Sequence, residues 1–222
     1  MLQYQQLNND KQFPIELDAM YPIINEYTHQ AGEIDNHYFF QDIWAAKKIL
    51  KNNPKRHIDI GSRIDGFISH LLCFRTVEQI DIRPLNLKIP GLSFIQDDAT
   101  ELKTIKTNSI ESISSLHACE HFGLGRYGDT IDPNAYVKFI HNMQRVVKKK
   151  GNIYFSVPIG KERLEFNAHR IFNPLTIIEL FKNCSLHTFS VVDDSGSFID
   201  NCTPNNYTQL TYGCGMFHFS KK

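Results

Sequence analysis

The sequence predicts an α/β fold: a mostly parallel seven-stranded sheet with helices on both faces and an antiparallel edge strand. Three observations predict it. From residue 37 onward, short apolar runs alternate with stretches of helical period. Such alternation builds parallel strands joined by helical crossovers, with the sheet buried on both sides. The last two apolar runs, 186–194 and 210–220, are joined by a loop without a helical pattern, which suits an antiparallel addition at the edge. With 222 residues, 41% of them hydrophobic and 22% charged, the chain can bury one sizeable core. No repeat or long linker divides it. Residues 1–222 therefore read as one domain, with 1–53 a helical N-terminal cap and 54–222 the core.

The elements follow in order. One helix is expected near 15–29, in an otherwise ambiguous segment. Residues 37–53 read as a helix, because Phe39, Ile43, Trp44, Ala46, Ile49 and Leu50 recur at helical spacing and Pro54 stands beyond the end. "HIDI" (57–60) is a strand, and 65–74 is helical with Asp65 in its first turn. Strands are expected at 77–82, 92–98 and 109–116. Residues 133–151 read as a helix with Pro133 at its start and Gly151 past its end. A strongly apolar strand (152–160), a helix (174–184) and two strands (186–194, 210–220) complete the chain.

Composition narrows the function. The 24 basic residues balance the 24 acidic ones, so nothing calls for a nucleic-acid partner. The basic run "RVVKKKG" (145–151) is expected to complement the dipole of the helix it ends. No run approaches the ~18 apolar residues of a membrane span. The polar start "MLQYQQLNNDKQF" lacks the apolar run of a signal peptide. Five scattered cysteines, without C-x-x-C pairs, suit free thiols in a reducing cytoplasm and argue against a cysteine zinc site.

Ligands on doubly wound sheets bind at the carboxyl ends of the strands, where the strand order reverses. Asp59, Asp81, Asp98 and His117 stand at or just past such ends. Gly61 lets the backbone turn tightly and approach a ligand. The loop "HIDIGSRIDGF" lacks the further glycines of a dinucleotide loop, and Asp59 and Asp65 would repel a pyrophosphate. A cationic ligand such as S-adenosylmethionine would be welcome. Asp81, 20 residues past Gly61, is placed to accept from both ribose hydroxyls. Asp98 can accept from an adenine amino group, with the Asp98–Ala99 backbone at the ring edge.

The segments "HIDIGSRIDG", "QIDIRP", "FIQDDATEL", "SISSLHACEHFG" and "KKKGNIYFSVPIG" together resemble the Rossmann-like class I S-adenosylmethionine-dependent methyltransferases. With "HYFFQD", "EFNAHRIF" and "YGCGMFHFSK", the chain is similar over about 37–221 to a methyltransferase-like family catalogued as domain of unknown function 268. The resemblance implies S-adenosylmethionine as cofactor and a role in capsule or surface-polysaccharide biosynthesis. It implies Gly61, Ser62 and their neighbours at the methionine part, Asp81, Ile82 and Arg83 on the ribose side, and Asp98 and Ala99 by the adenine. Arg63 either reaches the cofactor carboxylate or pairs with Asp59 or Asp65.

The loop 116–133, "LHACEHFGLGRYGDTIDP", follows the fourth strand, where the resemblance places the acceptor. The resemblance implies an acceptor oxygen on a sugar, nucleotide-sugar or glycan precursor. A hydroxyl needs a base, and His121, His117 and His169 are the candidates; alternatively they only tie down the loop. Glu120 orients His121 or touches the cofactor. Arg126 and Arg170, with Tyr127, hold an anionic substrate group, or the arginines pair with Asp129 and Glu165. A carboxylate acceptor would need no strong base. Two other readings stand beside this one. H-x-x-E-H is a zinc-peptidase motif when both histidines share a helix, but "FGLG" follows too soon. A methyltransferase-shaped subunit without catalysis is the second.

Overall fold

The computed structural model describes residues 1–8 and 13–222; residues 9–12 of the polar N-terminal stretch lie outside the described residues. The chain forms two compact units, Met1–Ile34 and Asp35–Lys222. The first holds helix α1 (Leu2–Leu7) and single 3-10 turns at Leu17–Ala19 and Glu26–Thr28. The helix expected near 15–29 does not form. Pro22 sits in its middle, without an amide hydrogen and with a ring that clashes with the carbonyl four residues back.

The second unit begins with α2 (Asn36–Asn52). The Asp35 carboxylate accepts from the amides of His37 and Tyr38 and caps the helix. Asn53, in the left-handed conformation, ends it (φ 39°). Trp44, Ala45 and Ile49 are buried against the sheet, so α2 belongs to the core. The boundary expected after residue 53 thus falls at Ile34/Asp35. After it come β1 (His57–Ile60), one π-turn (Ile64–Ile68) running into α3 (Ser69–Leu72), β2 (Val77–Asp81), β3 (Leu92–Gln96) and β4 (Ile110–Leu116). Then follow α4 (Ala135–Val146), β5 (Val147–Ile159), β6 (Arg163–Glu165), β7 (His169–Ile171) and α5 (Pro174–Leu180). The unit closes with β8 (Cys184–Val192), β9 (Phe198–Ile199) and β10 (Gly213–Lys221).

Eight strands make the main sheet, in the order β3-β2-β1-β4-β5-β10-β8-β9. The first five are parallel. β10 runs antiparallel between β5 and β8, and the two-residue β9 forms the edge, antiparallel to β8. β6 and β7 make a separate hairpin, too short for a period to reveal in the sequence. One face of the sheet is covered by α2 and α3, where Trp44, Phe67 and Leu71 meet Leu116, Tyr154 and Met216. The other is covered by α4 and α5, where Phe139, Met143, Ile177 and Phe181 meet Ile58, Ile113 and Phe155. Burying each such side chain contributes about 1.5–3 kcal/mol.

One expected boundary is corrected. α4 stops at Val146, and "KKKG" begins β5, whose Val147 pairs with Ile110. Lys148 pairs with Glu111. The helix end is served by Arg145 in its last turn and by Lys221, whose Nζ donates to the carbonyls of Arg145 and Val147. Among the described residues no helix is long and apolar enough to cross a membrane.

Candidate functional site

The strand order reverses between β1 and β4, and a cleft of about 590 Å³ opens there, outside the carboxyl ends of the strands. Gly61, Asp81, Asp98 and Ala99 line one side; His117, Glu120, His121 and Tyr127 line the other.

The first side starts from a locked corner. Asp59 is fully buried at the end of β1. Its carboxylate accepts from the Ser62 amide (3.1 Å), the Ser62 hydroxyl (2.6 Å) and the Ser114 hydroxyl (2.8 Å). Burial pushes its carboxyl up to about 6, against the pull of these donors. Ser62 also accepts from the Leu116 amide, and its carbonyl accepts from Gln79. Asp59 and Ser62 were expected at the ligand; their polar atoms are instead consumed in tying β1 to β2 and β4. Gly61 turns the chain there at φ +70°. A Cβ on it would lie 2.9 Å from the Ala118 Cβ, across the cleft floor.

Asp65 is also corrected: it is exposed and holds Arg63 at 3.1 and 2.9 Å, clear of the cleft. Arg63 lines the cleft mouth, stacked 4.7 Å over the Tyr38 ring. Of its two expected pairings the one with Asp65 forms, and Asp59 is taken by the serines. Asp81 ends β2 with both carboxylate oxygens held by Arg83 (3.0 and 2.6 Å), and Ile82 lies beside it in the cleft wall. Asp98 accepts from the Thr100 amide at 2.8 Å.

The second side is a loop braced from below. Asp129 accepts from the amides of Gly123, Gly125 and Tyr127. Gly123 has φ +74°, and a Cβ there would strike the Asp132 carbonyl. Arg170 donates to the Phe122 carbonyl at 2.6 Å, and to those of Glu120 and Pro133 at longer range. It lies outside the cleft lining, so the expected substrate contact is corrected to a loop brace. Its expected pairing with Glu165 does not form either: Glu165 is held by Arg163 and by His169 at 3.0 Å.

Above that brace stand the titratable groups. His117, in the left-handed conformation just past β4, is 8% exposed, and among the described residues neither ring nitrogen has a hydrogen-bond partner. Burial brings it down to about 3. A single 3-10 turn, Cys119–His121, carries the other two. The Glu120 carboxyl is buried, its Oε2 unpartnered, and burial pushes it up to about 8. Its Oε1 is 3.5 Å from His121 Nε2. His121 Nδ1 donates to the Ala168 carbonyl at 2.7 Å, which leaves Nε2 as the bare nitrogen. Burial lowers His121 to about 4. Arg126 donates to the same Ala168 carbonyl and stacks on Tyr127; among the described residues it pairs with no carboxylate, Asp129 included. The helix that a zinc H-x-x-E-H needs is not formed, since His117 follows a strand and His121 closes one turn.

Two lining residues escaped the sequence reading. Tyr38 comes from the first turn of α2, and Tyr212 precedes β10. They frame His117 and His169 with ring centroids 5.3 Å away in each case. Their only signal was membership of "HYFFQD" and "YGCGMFHFSK", segments far apart in the chain.

The fold is shared with solved methyltransferases. An S-adenosylmethionine-dependent methyltransferase from Clostridium acetobutylicum is 12% identical, with TM-score 0.56, covering 85% of this chain and 93% of that one. The 1,6-didemethyltoxoflavin-N1-methyltransferase of Burkholderia thailandensis, solved with S-adenosylhomocysteine, is 15% identical with TM-score 0.55, covering 84% of each chain. NodS from Bradyrhizobium japonicum, an N-methyltransferase also solved with S-adenosylhomocysteine, is 12% identical with TM-score 0.53, covering 82% and 87%. At these identities the likeness is one of fold: a Rossmann-like methyltransferase fold. No curated protein sequence matches the chain. A family model described as "Caenorhabditis protein of unknown function, DUF268" matches residues 92–204, just over half of the sequence, and the chain belongs to that family.

Proposed function

We propose that the protein is an S-adenosylmethionine-dependent methyltransferase of the cytoplasm, acting on oxygen of a sugar, nucleotide-sugar or glycan precursor in surface-polysaccharide biosynthesis. The observation that carries the cofactor reading is the meeting, in one cleft, of Gly61 with the strand-end acids Asp81 and Asp98. The residues fit the group. Gly61 offers a floor that a Cβ would fill, and Asp81 a carboxylate at the end of β2 for vicinal hydroxyls. The orphaned Glu120 carboxyl offers a place for positive charge. When bound, the cofactor supplies a methyl group on a cationic sulfur.

The remaining roles belong to the chain itself. Gly61 and Ala118 set how close a ligand lies to the backbone. His121 Nε2, left bare because Nδ1 serves Ala168, takes the acceptor proton, with Glu120 Oε1 beside it. His117 and His169 offer hydrogen bonds to the acceptor. Arg126 holds an anionic group on it, such as a nucleotide-sugar phosphate, and Tyr127 packs alongside. Tyr38 and Tyr212 exclude water from the far wall.

One observation favours a second acceptor. His121 at about 4 is a weak base, and a carboxylate acceptor beside Arg126 would need none. The test is methyl transfer from labelled cofactor to neutral and acidic nucleotide sugars, followed by mild alkali. A methyl ether survives alkali; a methyl ester is hydrolysed. Label on no sugar acceptor of either class contradicts the substrate reading.

A further inference from the structure

The Glu120 carboxyl is an unusual group to leave buried. It is 2% exposed; among the described residues its Oε2 has no hydrogen-bond partner, and its Oε1 lies 3.5 Å from His121 Nε2. Among the described residues no lysine or arginine pairs with it. It nevertheless lines the same cleft as Gly61 and Ala118. A buried carboxyl without a cation keeps its proton, because ionising it there costs several kcal/mol.

Burial favours the neutral form of the tyrosines, thiols and two of the histidines that face it. Tyr38 from α2 and Tyr212 before β10 are both pushed up to about 12, by burial first. His117 and His121 are held uncharged at about 3 and about 4. The thiols of Cys119 and Cys214 are raised by burial. His169 of β7 lines the same cleft, with its Nε2 3.0 Å from the Glu165 carboxylate. Among the described residues the fixed charges close by are Arg126, which donates to the Ala168 carbonyl, and Arg170, which donates to the Glu120 backbone carbonyl at 3.4 Å beneath the loop. The cleft thus holds a carboxyl whose missing partner is a cation.

Resting on the cofactor reading above, we propose that Glu120 is the counter-charge that distinguishes the sulfonium cofactor from its demethylated thioether product. A sulfonium seated in the cleft displaces the Glu120 proton to solvent; a neutral thioether leaves it in place. The balance is one proton released for one positive charge taken up. Both ligands carry the same amino and carboxylate groups, so these cancel in the comparison. The consequence is specificity: Glu120 favours the substrate form of the cofactor and speeds release of the spent form.

The experiment is calorimetry of the full chain with S-adenosylmethionine and with S-adenosylhomocysteine, in phosphate and in Tris, at pH 6 and 7. The difference between buffers reads proton release directly. The proposal expects about one more proton released with S-adenosylmethionine than with S-adenosylhomocysteine at pH 7. It also expects S-adenosylmethionine to bind about tenfold more weakly at pH 6 than at pH 7, with no such change for S-adenosylhomocysteine. Glu120→Gln should abolish both differences while still binding S-adenosylhomocysteine, which also reports that the variant is folded. Binding of both ligands with equal proton release and parallel pH dependence overturns the proposal and leaves the cofactor reading standing. Binding of neither ligand overturns both. The wild-type comparison decides the matter even if Glu120→Gln fails to fold.

Discussion

Arg83 closes over Asp81: its Nε and Nη2 donate to the two carboxylate oxygens at 3.0 and 2.6 Å, and its guanidinium lies 4.8 Å from the Tyr127 ring centroid. One side chain thus links the β2 end to the acceptor loop. A ribose at Asp81 takes oxygens that Arg83 now holds. Charged hydrogen bonds of this kind contribute about 1.5–3 kcal/mol each. Asp81→Asn is therefore expected to weaken S-adenosylmethionine and S-adenosylhomocysteine alike, about 10- to 100-fold by calorimetry. Loss for only one of the two would remove Asp81 from the ribose.

Gly61 has no room for a side chain. With φ +70° and a Cβ position 2.9 Å from that of Ala118, Gly61→Ala carries both strain and a contact. The expected cost is ~1–3 kcal/mol of stability in urea unfolding, together with loss of cofactor binding. Unchanged stability and binding would show that the corner adapts freely.

Arg126 and Arg170 separate by role. Arg170→Ala strips the Phe122 carbonyl of its 2.6 Å donor and should cost ~1–3 kcal/mol of stability. Arg126→Ala should leave cofactor affinity unchanged and raise KM for acidic acceptors at least about tenfold, in line with a lost charged hydrogen bond. Equal KM values for neutral and acidic acceptors in the wild type would contradict the anion role.

Glu120 also predicts a stability trend. Its folded-state carboxyl is raised from 4.5 to about 8. The stability it contributes is present below pH 4.5 and is lost as pH rises through about 8. Between pH 6 and 8 this is a decline of roughly 1.4 kcal/mol per pH unit at most. Urea unfolding of Glu120→Gln should show a shallower decline over that window than the wild type. Parallel slopes would mean that the carboxyl is already ionised.

His121 offers the fifth test. His121→Ala should cut turnover on hydroxyl acceptors by about 10²–10⁴-fold while cofactor affinity holds. Turnover that survives points to a carboxylate acceptor.

Much of the layout was legible before any coordinates. β1 falls where "HIDI" stands, and Gly61, Asp81, Asp98, Ala99, His117, Glu120 and His121 do share one cleft. Period and strand-end position carry that information, since the sheet forces successive carboxyl ends to one side. Asp59, Ser62, Asp65 and Arg170 do not line the cleft, for one physical reason. A residue type and its place in a loop do not say which way the side chain turns. Asp59 turns inward to Ser114, and Arg170 turns to carbonyls beneath the loop. Tyr38 and Tyr212 were missed because nothing local marks two residues so distant in sequence as facing the same chamber. Gly66, in the same loop, answers to packing: a Cβ there would lie 2.5 Å from Asp42 Oδ2 on α2.

The central claim is that this cleft binds S-adenosylmethionine, and the most direct measurement is a calorimetric titration of the full chain with S-adenosylhomocysteine. It carries the same ribose, adenine and amino-acid groups without the reactive methyl. The account predicts saturable binding at one site per chain, weakened by Asp81→Asn. The absence of binding at any concentration tested, with the chain shown to be folded, would contradict it.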